Sequence, residues 1–210
     1  MALFASQAQA QGVTIGLKGG MNLARVTLKA TETVFPNEKN QTGFVQGIFV
    51  NFKLGPVTIE PELLYSRTGA KFAVYEGTDG TGTIHMRSDY LELPILVKYS
   101  FLSGPVKPFV MAGPSLSYLL NCKWGEEYDY TDPSSTDYCY YYDYRDYYKK
   151  MEFAGVIAVG ADYQLPKFVV SLEVRYHLGL TNVAGTELTS DSPFTSIKNR
   201  AFSVLVGIGF

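Results

Sequence analysis

Apolar and polar residues alternate along most of this chain. The clearest run is Phe168 to Leu178, where Phe168, Val170, Leu172, Val174, Tyr176 and Leu178 share one face and Ser171, Glu173, Arg175 and His177 share the other. Successive side chains of an extended strand point to opposite sides, so a period of two predicts a strand with one apolar and one polar face. The same template sets Val57, Ile59, Pro61, Leu63 and Tyr65 against Glu60 and Glu62, and Leu91, Leu93, Ile95, Val97 and Tyr99 against Glu92 and Lys98. Near the C-terminal end Phe202, Val204, Val206, Ile208 and Phe210 stand opposite Ser203, Leu205, Gly207 and Gly209. Eight strands are predicted in this way, over residues 12–28, 42–53, 57–72, 89–99, 106–120, 152–163, 168–180 and 199–210.

Their connections alternate in length. Leu54-Gly55-Pro56, residues 100–105 and residues 164–167 are short and carry turn chemistry, whereas 29–41, 73–88, 121–151 and 181–198 are long and polar. If the short turns gather at one end and the long loops at the other, the chain is an all-β, antiparallel, up-and-down barrel of eight strands. Two barrels share that plan, one spanning an outer membrane and one soluble with a ligand cavity. The faces separate them. The apolar register ends in aromatics on both sides, with Phe52, Tyr99, Tyr163, Phe168 and Phe210 toward the short turns and Phe44, Tyr65, Tyr118, Phe153 and Phe202 toward the long loops. Eight residues at about 3.4 Å each, on a strand tilted by about 40°, rise roughly 20 Å, near the apolar height of an outer-membrane barrel. The opposite register carries Lys18, Lys53, Lys98, Lys107 and Arg175 with Glu60, Glu62, Glu92, Glu152, Asp162 and Glu173. A soluble lipocalin would line its interior with apolar groups, so the pattern predicts the transmembrane barrel.

Composition narrows the function classes. A length of 210 residues suits one domain, and 18 Lys+Arg against 20 Asp+Glu leaves a net charge of -2, with no basic excess for a nucleic-acid partner. Tyr, Phe and Gly number 16, 13 and 20, a mixture that favours strand over helix. No apolar stretch reaches the roughly 18 to 20 residues of a membrane helix. Residues 1–10, ending in Ala8-Gln9-Ala10, have the small-residue spacing of a signal cleavage site without the basic segment before it. They are expected to be a residual signal-peptide tail or a flexible leader, with 11–210 as a single exported barrel.

Several strand strings resemble those of the PorT-type outer-membrane β-barrel proteins of Bacteroidota: Gly16-Leu17-Lys18-Gly19-Gly20-Met21-Asn22, Glu60-Pro61-Glu62-Leu63-Leu64-Tyr65-Ser66-Arg67-Thr68-Gly69 and Tyr90-Leu91-Glu92-Leu93-Pro94-Ile95-Leu96-Val97-Lys98-Tyr99. Lys107-Pro108-Phe109-Val110-Met111-Ala112-Gly113-Pro114 and Arg175-Tyr176-His177-Leu178-Gly179-Leu180-Thr181-Asn182 extend the likeness, which spans most of the strands and leaves the long loops unmatched. Phe210 also resembles the terminal aromatic read by the barrel-insertion machinery. The resemblance implies the outer membrane of a Gram-negative bacterium and an eight-stranded barrel. PorT itself implies a secretion system for surface proteins and gliding, whereas most relatives are known as barrels only.

The third long loop has the most distinctive chemistry. It holds Tyr128, Tyr130, Tyr138, Tyr140, Tyr141, Tyr142, Tyr144, Tyr147 and Tyr148, and between Lys123 and Tyr148 seven acids face two bases, for a net -5 against +3 elsewhere. Tyrosine offers a large contact area at low entropic cost, so a surface loop binding an extracellular protein or glycan is one reading. A β-rich extension of the flanking strands is the other, and the two are compatible. Cys122 and Cys139 are a candidate disulfide within this loop. The acids lack the Asp-x-Asp-x-Asp-Gly spacing of a calcium loop.

On the polar register, Glu60, Glu62, Glu92, Lys98, Glu173 and Arg175 are expected to form an ion-paired plug, because an eight-stranded barrel is only wide enough for its own side chains. No open pore is expected, and the barrel itself is expected to be monomeric, with outer-membrane lipid as its surroundings. His85 and His177 are the only histidines, neither evidently set beside a Ser and a carboxylate. With no phosphate loop, dinucleotide glycine pattern or zinc spacing, no catalytic residue, cofactor or metal is assigned. The leading function is a non-enzymatic surface, structural or partner-binding barrel. A small-solute channel is the alternative, followed by a lipid-modifying hydrolase.

Overall fold

The computed structural model describes residues 12–30, 38–76, 80–101, 104–130, 140–143, 148–184 and 194–210. The expected leader at 1–10 lies outside them. The strands are β1 (Val13–Ala30), β2 (Glu38–Leu54), β3 (Val57–Glu76), β4 (Gly80–Ser100), β5 (Val106–Tyr130), β6 (Tyr140–Asp143), β7 (Met151–Gln164), β8 (Val169–Gly179) and β9 (Phe194–Gly209). Eight of them close a barrel in the order β4-β3-β2-β1-β9-β8-β7-β5, with β4 pairing β5 to complete the ring and every pairing antiparallel. The short β6 adds to the outer end of β5.

Closure leaves no unpaired edge, which hydrocarbon demands. The inside-out reading of the faces holds: Leu17 and Met21 on β1 are each 63% exposed, whereas Lys18 is 4% exposed and Glu60 and Glu173 are 1% exposed. At the short-turn end Leu54 pairs Val57 around Gly55-Pro56, and Gly55 takes φ 70°, the left-handed conformation that tight hairpin turns favour and glycine adopts without strain.

The outer ends differ from the expectation. Residues 73–88, expected as a long loop, are largely hairpin, with β3 and β4 paired out to Glu76↔Gly80. Residues 121–130, at the start of the predicted third loop, continue β5, paired to β4 as far as Tyr130↔Gly80, which agrees with the β-rich reading of that loop. Neither segment keeps a strict alternation of apolar and polar residues, so the two-residue period that marks the spanning strands is absent while the strand goes on. A register shift at Asp89/Tyr90 passes over Leu120, an extra residue on β5. It changes the inward parity of β5, so Leu119 and Cys122 are both buried.

Candidate functional site

The lumen is built in tiers. At mid-height Lys18 extends from β1, where its cross-strand partners are Gly47 on β2 and Gly207 on β9. With no side chain on either flank, its ammonium reaches across the barrel and donates to Glu60 Oε1 at 2.7 Å, Glu62 Oε1 at 2.5 Å and Glu173 Oε2 at 2.9 Å. The Arg175 guanidinium forks onto Glu62, Nη1 to Oε2 at 2.7 Å and Nη2 to Oε1 at 2.8 Å, and its Nη2 is 2.6 Å from Glu173 Oε1. Below, Lys98 Nζ lies 3.7 Å from Glu60 Oε2 and 2.8 Å from Asp162 Oδ2. Three cations and four carboxylates thus form one continuous buried network, in which most charged atoms have charged partners.

Five of the six predicted plug residues, Glu60, Glu62, Lys98, Glu173 and Arg175, belong to this network. Glu92 does not. Its cross-strand partner is Leu64, one inward position beyond Glu62, and there it faces His177 Nδ1 at 3.8 Å. Lys18, read from the sequence only as a polar-face residue, is the hub; the glycines on both adjacent strands were the signal for its reach. The carboxylates of Glu60, Glu62 and Glu173 offer oxygens within 4.8 Å of one another, a spacing suited to a cation, and the Lys18 ammonium supplies one.

Two inward phenylalanines, also unassigned from the sequence, complete the filling although their odd position in the polar register marks them. Phe49 packs where Gly16, Gly207 and Gly209 leave the wall bare; a Cβ on Gly16 would collide with its ring. Lys18 Nζ stands 5.1 Å above that ring, and Lys98 Nζ 3.9 Å above the ring of Phe109, so both lysines are shared between carboxylates and an aromatic face.

Toward the outer end Glu152 Oε2 accepts from Asn199 Nδ2 at 2.7 Å, and Asn199 also donates to the Tyr90 hydroxyl at 3.0 Å. The cavity among Glu92, Glu152, His177 and Asn199 holds about 20 Å³, and one beside Phe49, Lys98 and Asp162 about 30 Å³, each about the size of a single water. Above them an apolar cap of Ala70, Met86, Tyr90, Leu119, Cys122, Tyr148, Val183, Ala184 and Ile197 closes the mouth. Tyr148 bridges Ala184, Lys149 N donates to Val183 O at 2.9 Å, and Val183 N to Ile197 O at 2.9 Å. At the other end the lumen opens into a vestibule of about 450 Å³ bordered by Asn51, Lys53, Lys98, Lys107 and Asp162.

The tyrosine-rich segment divides. Tyr128 and Tyr130 lie on β5, Tyr140, Tyr141 and Tyr142 form most of β6, and Tyr138, Tyr144 and Tyr147 lie outside the described residues. Tyr148 departs from the expected surface role: it is 4% exposed, its hydroxyl donating to Met86 Sδ at 3.7 Å, because its backbone pairs with the inward-turning segment at Ala184. Cys122 is buried with Ser88 Oγ at 3.5 Å from its sulfur, and Cys139 lies outside the described residues.

A closed antiparallel barrel with a lipid-type exterior and a charged interior is an outer-membrane design. The model of the outer membrane protein beta-barrel domain matches residues 5–185. The chain belongs to that family. Membership in this outer-membrane family places the barrel in the outer membrane. A comparison with curated proteins gave no match. Among solved structures, the family member is similar to Neisserial surface protein A, at 13% identity over 94% of this chain and 96% of that one, with a TM-score of 0.45. It is similar also to OprG from Pseudomonas aeruginosa, at 11% identity over 95% and 97% with a TM-score of 0.48, and to Ail of Yersinia pestis, at 12% over 94% and 98% with a TM-score of 0.38.

Proposed function

We propose that the protein is a non-enzymatic surface barrel that works through its extracellular end, binding an external protein or glycan, with the transmembrane part as a rigid, monomeric support. The observation that carries this reading is the filled lumen. Ion pairs, two phenylalanine rings and an apolar cap occupy the space a solute would need, so the outer strands and loops are the surfaces left for recognition. The tyrosines and acids around β6 give that end contact area and negative charge.

The strand motifs favour a PorT-type barrel of Bacteroidota, and a link to a secretion assembly is compatible with that reading. A hydrolase would need a nucleophile against a base, and His177 is turned toward Glu92 inside the barrel. The test is adhesion of cells displaying the protein to immobilised matrix glycoproteins and glycans, compared with a variant lacking residues 128–147. Loss of adhesion with an intact barrel is expected; unchanged adhesion would contradict the proposal.

A further inference from the structure

The outer surface just above the upper aromatic tier carries a concentration of positive charge. Arg25 on β1 and Arg200 on β9 are direct cross-strand partners. Both point outward, since Ala24, Asn199 and Ala201 beside them are buried in the lumen. Lys198 shares their face, two residues from Arg200 and paired with Thr27. Immediately below are Leu23 and Phe202, themselves a cross-strand pair and both exposed to lipid. The three cations therefore stand where the hydrocarbon ends and the headgroups of the outer leaflet begin.

Like charges directly opposite on neighbouring strands repel. Elsewhere at this level the protein neutralises its cations: Arg67 Nε donates to Asp89 Oδ1 at 2.7 Å. On the far side of the barrel the like-charged partners Arg87 and Lys123 have Asp143 as the next register neighbour, on β6. At Arg25, Lys198 and Arg200, no carboxylate makes an ion pair among the residues whose side chains the structure describes. Arg200 Nη1 donates to the Tyr176 hydroxyl at 3.3 Å, and its Nε is buried without a partner.

We propose that Arg25 and Arg200, with Lys198 and the Tyr176 hydroxyl, bind the phosphate group of an outer-leaflet glycolipid. A phosphate accepts hydrogen bonds on several oxygens, and two guanidinium groups side by side offer planar pairs of donors to them. Its charge removes the repulsion between the arginines. The acyl chains of the same molecule descend along Leu23 and Phe202, so headgroup and tails are met by adjacent tiers of one surface. Free phosphate shares the headgroup chemistry without that second tier.

The test is native mass spectrometry of the detergent-purified protein titrated with phosphorylated lipid A, with the same lipid after phosphatase treatment, and with inorganic phosphate alone. Retention of phosphorylated lipid A is expected, with at least about tenfold weaker binding of the dephosphorylated form and of inorganic phosphate, and similar weakening in the Arg25→Gln/Arg200→Gln double variant. Lys107→Gln, at the short-turn end, is expected to bind as the parent does. Each variant is first checked for the gel shift of a folded barrel, and single Arg25→Gln, at an exposed position, replaces the double variant if that fails to fold. Equal binding of the dephosphorylated lipid, equal binding by the folded arginine variant, or inorganic phosphate binding as tightly as the lipid would each overturn the proposal.

Discussion

Lys18 on β1 meets Glu62 on β3 at 2.5 Å, across a strand that lies between them. The contact is open because the β2 residue opposite Lys18 is Gly47. One glycine in the wall thus lets a cation reach the middle of the lumen, where three carboxylates would otherwise repel one another.

Removing that cation should be costly. Lys18→Met leaves Glu60, Glu62 and Glu173 to Arg175 and Lys98, and stranding part of a buried ion network typically costs about 3–5 kcal/mol. Urea-induced unfolding from lipid vesicles is the measurement. A loss below about 1 kcal/mol, the scale of an exposed surface pair, would show that the network is not the packed buried element described here.

Neighbouring phenylalanines on β2 should respond in opposite ways. Phe49 is 4% exposed and packs in the lumen, so Phe49→Ala opens a cavity and is expected to cost about 3–5 kcal/mol. Phe52 is 44% exposed on the lipid side, where lipid fills the space left by truncation, so Phe52→Ala should cost distinctly less. The same unfolding experiment compares them, and equal losses would contradict the assigned faces.

A charge placed on the apolar face should be resisted. Val206 sits midway between Phe202 and Phe210 and faces outward, so Val206→Arg is expected to cost about 2–4 kcal/mol, the usual penalty near the bilayer midplane. Folding yield into vesicles of defined lipid reads this directly.

The cap should loosen locally. Tyr148→Ala removes a buried ring and its contact with Met86 while leaving the barrel ladder untouched. Hydrogen exchange is expected to speed up at the Val183 and Lys149 amides, which hold the inward segment, and to stay slow in β1 and β9. Uniform acceleration throughout the barrel would show that the cap and wall unfold as one unit.

The barrel was legible in the sequence because lipid outside and charge inside impose a strict two-residue period. Strand boundaries at the short-turn end agree within a residue or two for that reason, and five of the six plug residues followed from parity alone. Glu92 failed because parity assigns a face and not a height. Lys18 was visible as an inward charge, but its central role depends on glycines in two neighbouring strands, a relation that appears only once the register is known. The outward extension of β3 and β4 was missed because residues 73–88 lack the two-residue alternation, whereas a β-rich extension was one of the two readings of the third loop; Tyr148 looked like its loop neighbours because nothing local marks a residue whose chain is about to turn inward.

Planar-bilayer recording of the purified, folded protein tests the filled lumen most directly. The account predicts a quiet membrane, without stable steps of porin size, because the network around Lys18 and the cap around Tyr148 block the path in series. A stable, porin-sized conductance from correctly folded protein would contradict it.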